Sequence, residues 1–142
     1  MSATLTSSIT HRNIFLSVLG VIILLVIAFN VPLGTTNYDP MGSNGITLPA
    51  GFKQGEVCCM YSVSFTSPRG IIGSKIDMDN ALKNYHKIKW LKGGDNANVD
   101  WYTNDDYSII FRYWMTGSLL GSRIQVEYGY SAGDIGNYFE DY

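Results

Sequence analysis

Residues Ile14 to Val31 read IFLSVLGVIILLVIAFNV. Only Ser17, Gly20 and Asn30 interrupt this apolar run, and no charged residue lies between Arg12 and Asp39. Its eighteen residues, rising about 1.5 Å each, cover roughly 27 Å, close to the roughly 30 Å hydrocarbon core of a bilayer. In lipid a lone segment has to be helical, because nothing else there satisfies its backbone N–H and C=O groups. The run therefore predicts a transmembrane helix over 14–31. Thr10 or Asn13 is placed to cap its start, and Asn30, Pro32 and Gly34 supply its stop. A cleaved signal peptide fits less well. The run exceeds an ordinary h-region of about 7–15 residues, and no clear small-x-small site follows Phe29. A buried core helix would carry a polar face, which this stretch lacks.

His11 and Arg12 precede the run, and no Lys or Arg follows it until Lys53. The positive-inside rule then places the N-terminus in the cytoplasm and residues 35–142 in a periplasm, lumen or extracellular space. Ser17 and Gly20 offer a point of close approach to a neighbouring membrane helix.

Composition narrows the remaining choices. The chain has 142 residues, 46% of them hydrophobic and 15% charged, against about 25% charged in ordinary soluble domains. Ten Lys and Arg against twelve Asp and Glu give a net charge of −2, without the basic excess of a nucleic-acid binder. Aromatic residues at 13% argue against disorder. The length suits one domain.

Beyond the apolar run, the organisation reads as a short N-terminal segment over 1–13, the helix over 14–31, a linker over 32–50, an α+β domain over 51–130 and an acidic Gly/Tyr tail over 131–142. Within the domain, Glu56 to Phe65 alternates as one strand. Ser74 to Leu91 has apolar residues at Met78, Ala81, Leu82, Tyr85, Ile88 and Leu91, a helical spacing. Ser74 and Asp77 stand at capping-box distance there, Asp79 and Lys83 at i,i+4, and Gly93-Gly94 at the end. Val99–Tyr102, Tyr107–Met115 and Arg123–Tyr130 read as strands, the last two joined as a hairpin through Thr116 to Gly121. The predicted fold class is α+β: one N-terminal transmembrane helix, then a small antiparallel sheet with one amphipathic helix in the order β-α-β-β-β.

Candidate chemistry is sparse. Cys58 and Cys59 are adjacent, point to opposite faces of a strand and are the redox candidates. A metal site joining them to His86 would be short of a tetrahedral ligand set. The acidic stretch Asp95–Asp106 spaces oxygen ligands as calcium needs but lacks the central Gly and terminal Glu of an EF-hand, so an Asx-rich turn is the simpler reading. No Gly-x-Ser-x-Gly, Walker loop or His-Glu-x-x-His is present. The expectation is no catalytic set, no cofactor and no metal.

Tyr113, Tyr128 and Tyr130 on strands, with Lys83 and Lys87 nearby, form the candidate partner surface, since tyrosine-rich strand faces are common at protein interfaces. The sequence thus predicts a non-catalytic, single-pass accessory or structural subunit of a larger membrane complex. Its expected partners are other membrane subunits and the lipid bilayer, with no nucleic acid; homo-oligomers remain open. The alternatives are a self-assembling surface or virion membrane protein and a membrane-tethered metal- or redox-binding module. An apolar N-terminal helix ahead of a β-rich domain resembles the architecture of type IV pilins. The expected Glu just inside the apolar segment and a processing site ahead of Ile14 are lacking, and Pro32 breaks any extension of that helix.

Overall fold

A computed structural model describes residues 3–39, 45–58, 62–91, 99–129 and 139–141. The first element, α1 (Ala3–Asn30), is a single helix. It begins about three turns before the expected start. Within it, His11–Asn30 is long and apolar enough to cross a membrane, and none of its most apolar window is buried. It ends at Asn30, where Pro32 and Gly34 follow, as the sequence predicts.

The chain then runs straight into structure instead of a linker. Strands β1 (Thr35–Tyr38) and β2 (Ile46–Pro49) pair antiparallel, Thr35 opposite Pro49 and Tyr38 opposite Ile46. Burial of Ile46 and Leu48 drives this hairpin, since both are fully buried in the main core. A two-residue alternation over so short a strand is easily missed among Gly and Pro.

The main sheet has seven strands among the described residues, in the order β3-β4-β8-β7-β6-β5-β9, with antiparallel pairing throughout. They are β3 (Lys53–Cys58), β4 (Ser62–Ser67), β5 (His86–Trp90), β6 (Trp101–Thr103), β7 (Ile110–Ser118), β8 (Gly121–Tyr128) and β9 (Phe139–Asp141). Between β4 and β5 lie α2 (Ile71–Ala81) and a 3-10 turn, Leu82–Asn84. The α+β class stands, but the order is richer than β-α-β-β-β.

Five expectations need correction. The single strand over 56–65 is a hairpin: Val57 lies opposite Val63 and Cys58 opposite Ser62. No Gly, Pro, Asn or Asp stands between 56 and 65, so nothing local marks the reversal. The helix over 74–91 stops at Ala81, and His86–Trp90 is a strand. Its alternation of buried Ile88 and Trp90 with exposed Lys87 and Lys89 matches a period of two as well as of 3.6, and pairing to β6 and β9 decides. Ser74 and Asp77 do not cap α2, because both lie buried inside it. Lys83 bonds Asn80 Oδ1 at 2.9 Å in place of the expected Asp79 partner. Finally, Phe139–Asp141 of the supposed tail adds an edge strand to β5.

One sheet face carries the main core. Val63 and Phe65 on β4, Ile124 and Val126 on β8 and Phe111 on β7 pack beneath Met78 of α2 and Ile46 and Leu48 of β2. Register places these side chains in rows: Phe65 opposite Ile124 opposite Met115, and Val63 opposite Val126 opposite Tyr113. Phe111, Tyr113 and Met115 on β7 thus share the inward face with Ile124, Val126 and Tyr128 on β8, and the ladder runs on to Ser118 and Gly121, leaving only Leu119–Leu120 as the turn of the expected hairpin. On the opposite face Ile88, Trp90, Trp101 and Ile110 make a smaller cluster, with the Trp90 and Trp101 rings stacked 6.0 Å apart.

Candidate functional site

Two regions concentrate unusual chemistry. The first is the junction of α1 with the domain, and it is built on Asn30. The Asn30 Nδ2 group donates to its own Val26 carbonyl at 2.8 Å and to the Leu119 carbonyl at 3.0 Å. Its Oδ1 accepts the Ile72 backbone N–H at 3.2 Å. The first residue before α2 is Gly70, which has no capping side chain. Asn30 therefore caps α2 from another helix, an interaction of about 1 kcal/mol when such caps are removed. Gly70 also donates its N–H to the Phe29 carbonyl at 2.8 Å. A Cβ at Gly70 would collide with the Asn30 carboxamide and the Leu119 carbonyl, so only glycine admits this approach.

Asp77 holds the next residues. It is 1% exposed. Its two carboxylate oxygens accept the Leu33 N–H at 2.7 Å and the Gly34 N–H at 2.8 Å. Gly34 has φ +83°, a left-handed conformation that favours glycine, and its carbonyl accepts the Ala50 N–H at 2.8 Å. Arg69 Nη2 and the Asn30 carbonyl stand beside the same face of Gly73, which puts a cation near the negative end of α1. Within four residues of its end, the chain leaving α1 is tied to α2, to the β7–β8 turn and to Ala50 just after β2.

The second region is a shallow groove of about 360 Å³ lined by Asp79, Leu82, Lys83, Tyr85, Lys87, Tyr102 and Tyr113. The structure thus brings Lys83, Lys87 and Tyr113 together, although from a 3-10 turn and two strands instead of one helix and one strand. Lys87 Nζ bonds Asp100 Oδ2 at 2.7 Å and lies 5.9 Å from the Tyr102 ring centre. Burial, then the charges of Tyr102, Asp79 and Asp100, push the Tyr113 hydroxyl up to about 12. Burial, followed by Asp100 and Asp79, also raises Tyr102. Both hydroxyls stay neutral at ordinary pH and can donate or accept hydrogen bonds. A larger cleft of about 520 Å³ continues past Tyr113 toward Lys75, Trp114 and Met115.

The other sequence candidates are scattered. Tyr128 is half-buried against the main core, and burial ahead of the Asp39 and Tyr85 charges raises its pKa. Ser17 and Gly20 lie one turn apart on α1, with open space beside Gly20. Tyr130 and Cys59 lie outside the described residues. Cys58 ends β3. His86 begins β5, five strand steps from β3 in the sheet order, so the backbone sets the two candidates on widely separated strands. His86 Nδ1 faces Asp105 at 3.8 Å and its ring meets Tyr107 edge-on.

In the acidic stretch, residues 95–98 lie outside the described residues. Asp106 Oδ1 accepts the Ser108 N–H at 3.0 Å, the geometry of an Asx turn, and Asn104 Oδ1 closes the wider loop by accepting the Ile109 N–H at 3.1 Å. Among the described residues no group of three or more His, Cys, Asp or Glu is placed to hold a metal ion.

No protein-family model matches the chain, and neither a curated protein nor a solved structure is significantly similar to it.

Sequence reasoning missed Asn30, Asp77 and the Leu119–Leu120 turn as a working set. Asn30 registers in sequence as a helix stop and Asp77 as a helix cap. Their true partners lie 89 and about 43 residues away, beyond any local signal.

Proposed function

We propose that this chain is a single-pass membrane protein whose N-terminus is cytoplasmic and whose α+β domain sits on the opposite side. In this reading it serves as a non-catalytic accessory subunit that docks onto other subunits of a membrane complex. One observation carries the anchor: the eleven large apolar side chains from Ile14 to Ile27 are 41–66% exposed, with nothing among the described residues to cover them. Full burial of such a side chain is worth about 1.5–3 kcal/mol. Even at half that value the total rivals the stability of a typical domain, about 5–15 kcal/mol. A bilayer provides that burial without any rearrangement of the domain.

The Lys83, Lys87, Tyr102 and Tyr113 groove supports the docking role. It pairs aromatic faces with charged rims, a composition common at protein interfaces. Arg12 ahead of the helix, with no Lys or Arg after it until Lys53, supports the orientation.

The test is extraction of native membranes in mild detergent, followed by sizing and mass spectrometry of the proteins that elute with this chain. Co-elution with a fixed set of different membrane proteins is the expected result. Elution alone, or only with copies of itself, overturns the accessory-subunit role and leaves self-assembly as the better account.

A further inference from the structure

The end of α1 is surrounded by apolar side chains that the fold leaves uncovered. Leu33 is 56% exposed, Ile72 51% and Leu120 59%, and Val31, Ile76 and Leu119 are similarly open. They come from three places: the segment after α1, the first turns of α2, and the tip of the β7–β8 hairpin. Asn30 binds two of these places directly, through the Leu119 carbonyl and the Ile72 N–H. Asp77 binds the third, through the Leu33 N–H. The collar is therefore fixed to the helix end and continues the exposed apolar surface of α1.

We infer that this collar is a membrane-seated base: Leu119 and Leu120, with Ile72, Ile76, Val31 and Leu33, enter the interfacial zone of the bilayer beside α1. The inference rests on α1 spanning that bilayer. Its occupant is lipid because the collar begins where the spanning segment ends. The apolar run covers roughly 27 Å of a roughly 30 Å core, so its end lies near the hydrocarbon boundary, where apolar groups fixed beside it meet the interfacial zone. Amphipathic surfaces of this kind seat about 5–10 Å deep, at the boundary of headgroups and acyl chains. The hairpin tip is then a wedge that sets the domain's tilt. The turn at Asp105 and Asp106, at the other end of β7, points away from the membrane, since nine strand residues span about 30 Å.

The test uses the full chain carrying Cys58→Ser and Cys59→Ser, with one environment-sensitive fluorophore placed by Leu24→Cys, Leu120→Cys or Asp105→Cys. Each variant is reconstituted into phosphatidylcholine–phosphatidylglycerol vesicles containing lipids spin-labelled at shallow or deep acyl positions. The expected result is deep quenching at position 24, shallow quenching of about twofold with a blue-shifted emission at position 120, and an aqueous signal at position 105. Quenching at 24 with an aqueous signal at 120 overturns the seated base while leaving the anchor in place. Quenching at both 120 and 105 overturns the proposed tilt. An aqueous signal at position 24 removes the spanning reading, and the seated base with it.

Discussion

The Asp77 carboxylate receives the backbone N–H of Gly34 at 2.8 Å, so a buried residue in the middle of α2 fixes the chain where it leaves α1. Its second oxygen takes the Leu33 N–H. Asp77→Ala strands two backbone donors at once, each costing about 1–3 kcal/mol when left unsatisfied. The expected loss is about 2–4 kcal/mol, read as a lower urea midpoint by tryptophan fluorescence in detergent. Asp77→Asn keeps one acceptor and is expected to lose about half as much. A midpoint unchanged by Asp77→Ala would show that the clamp contributes nothing.

Gly70→Ala inserts a methyl group against the Asn30 carboxamide and the Leu119 carbonyl. Overpacking of this kind costs about 1–3 kcal/mol. The expected outcome is a junction that opens more readily: faster amide exchange at Ile72 and Leu33 and faster proteolysis after Leu33, with exchange in β7 and β8 unchanged. Uniform acceleration through the whole sheet would mean that the junction is not a separate unit.

Tyr113 titrates near 12 because burial opposes its phenolate. In the unfolded chain it titrates near the ordinary value of about 10. A raised folded pKa contributes nothing to the pH dependence below about 10. Above that, the unfolded state loses its proton first, so stability falls as pH climbs from about 10 to 12. Tyr113→Phe is expected to flatten part of this alkaline loss and to remove one late-ionising phenolate from the absorbance titration. Loss instead of a phenolate that ionises near the ordinary value of about 10 would place Tyr113 in solvent.

Arg112 stacks over Trp101 and Trp114, at 5.1 and 5.6 Å from their ring centres, and both Nε and Nη2 donate to Glu127 Oε2. Arg112→Ala is expected to cost about 1 kcal/mol and to shift the tryptophan emission. Arg112→Lys keeps the charge but not the planar fork, and should recover less than half of the emission change. Full recovery by lysine would mean that charge alone matters there.

The sequence by itself determined the elements whose signal is local. An apolar run of this length with no polar face reads as a helix long enough to cross a membrane, and its stop at Asn30, Pro32 and Gly34 follows from helix chemistry. The inward faces of β7 and β8 were equally legible, because Phe111, Tyr113, Ile124 and Val126 recur every second residue. The same rule misled at His86–Trp90, where five residues satisfy two periods. It also misled at Glu56–Phe65, where no turn residue marks the reversal.

Tertiary structure alone decided whether the apparent linker was loose or bound, which residue capped α2, and where Asp77 and the Leu119–Leu120 turn belonged. Each of those outcomes is a hydrogen bond or a close backbone approach between segments tens of residues apart. Composition and periodicity describe one stretch at a time, so they carry no record of such pairs. The chain could announce its helix in eighteen residues, but only the folded domain could fix Asn30 as the joint between helix and sheet.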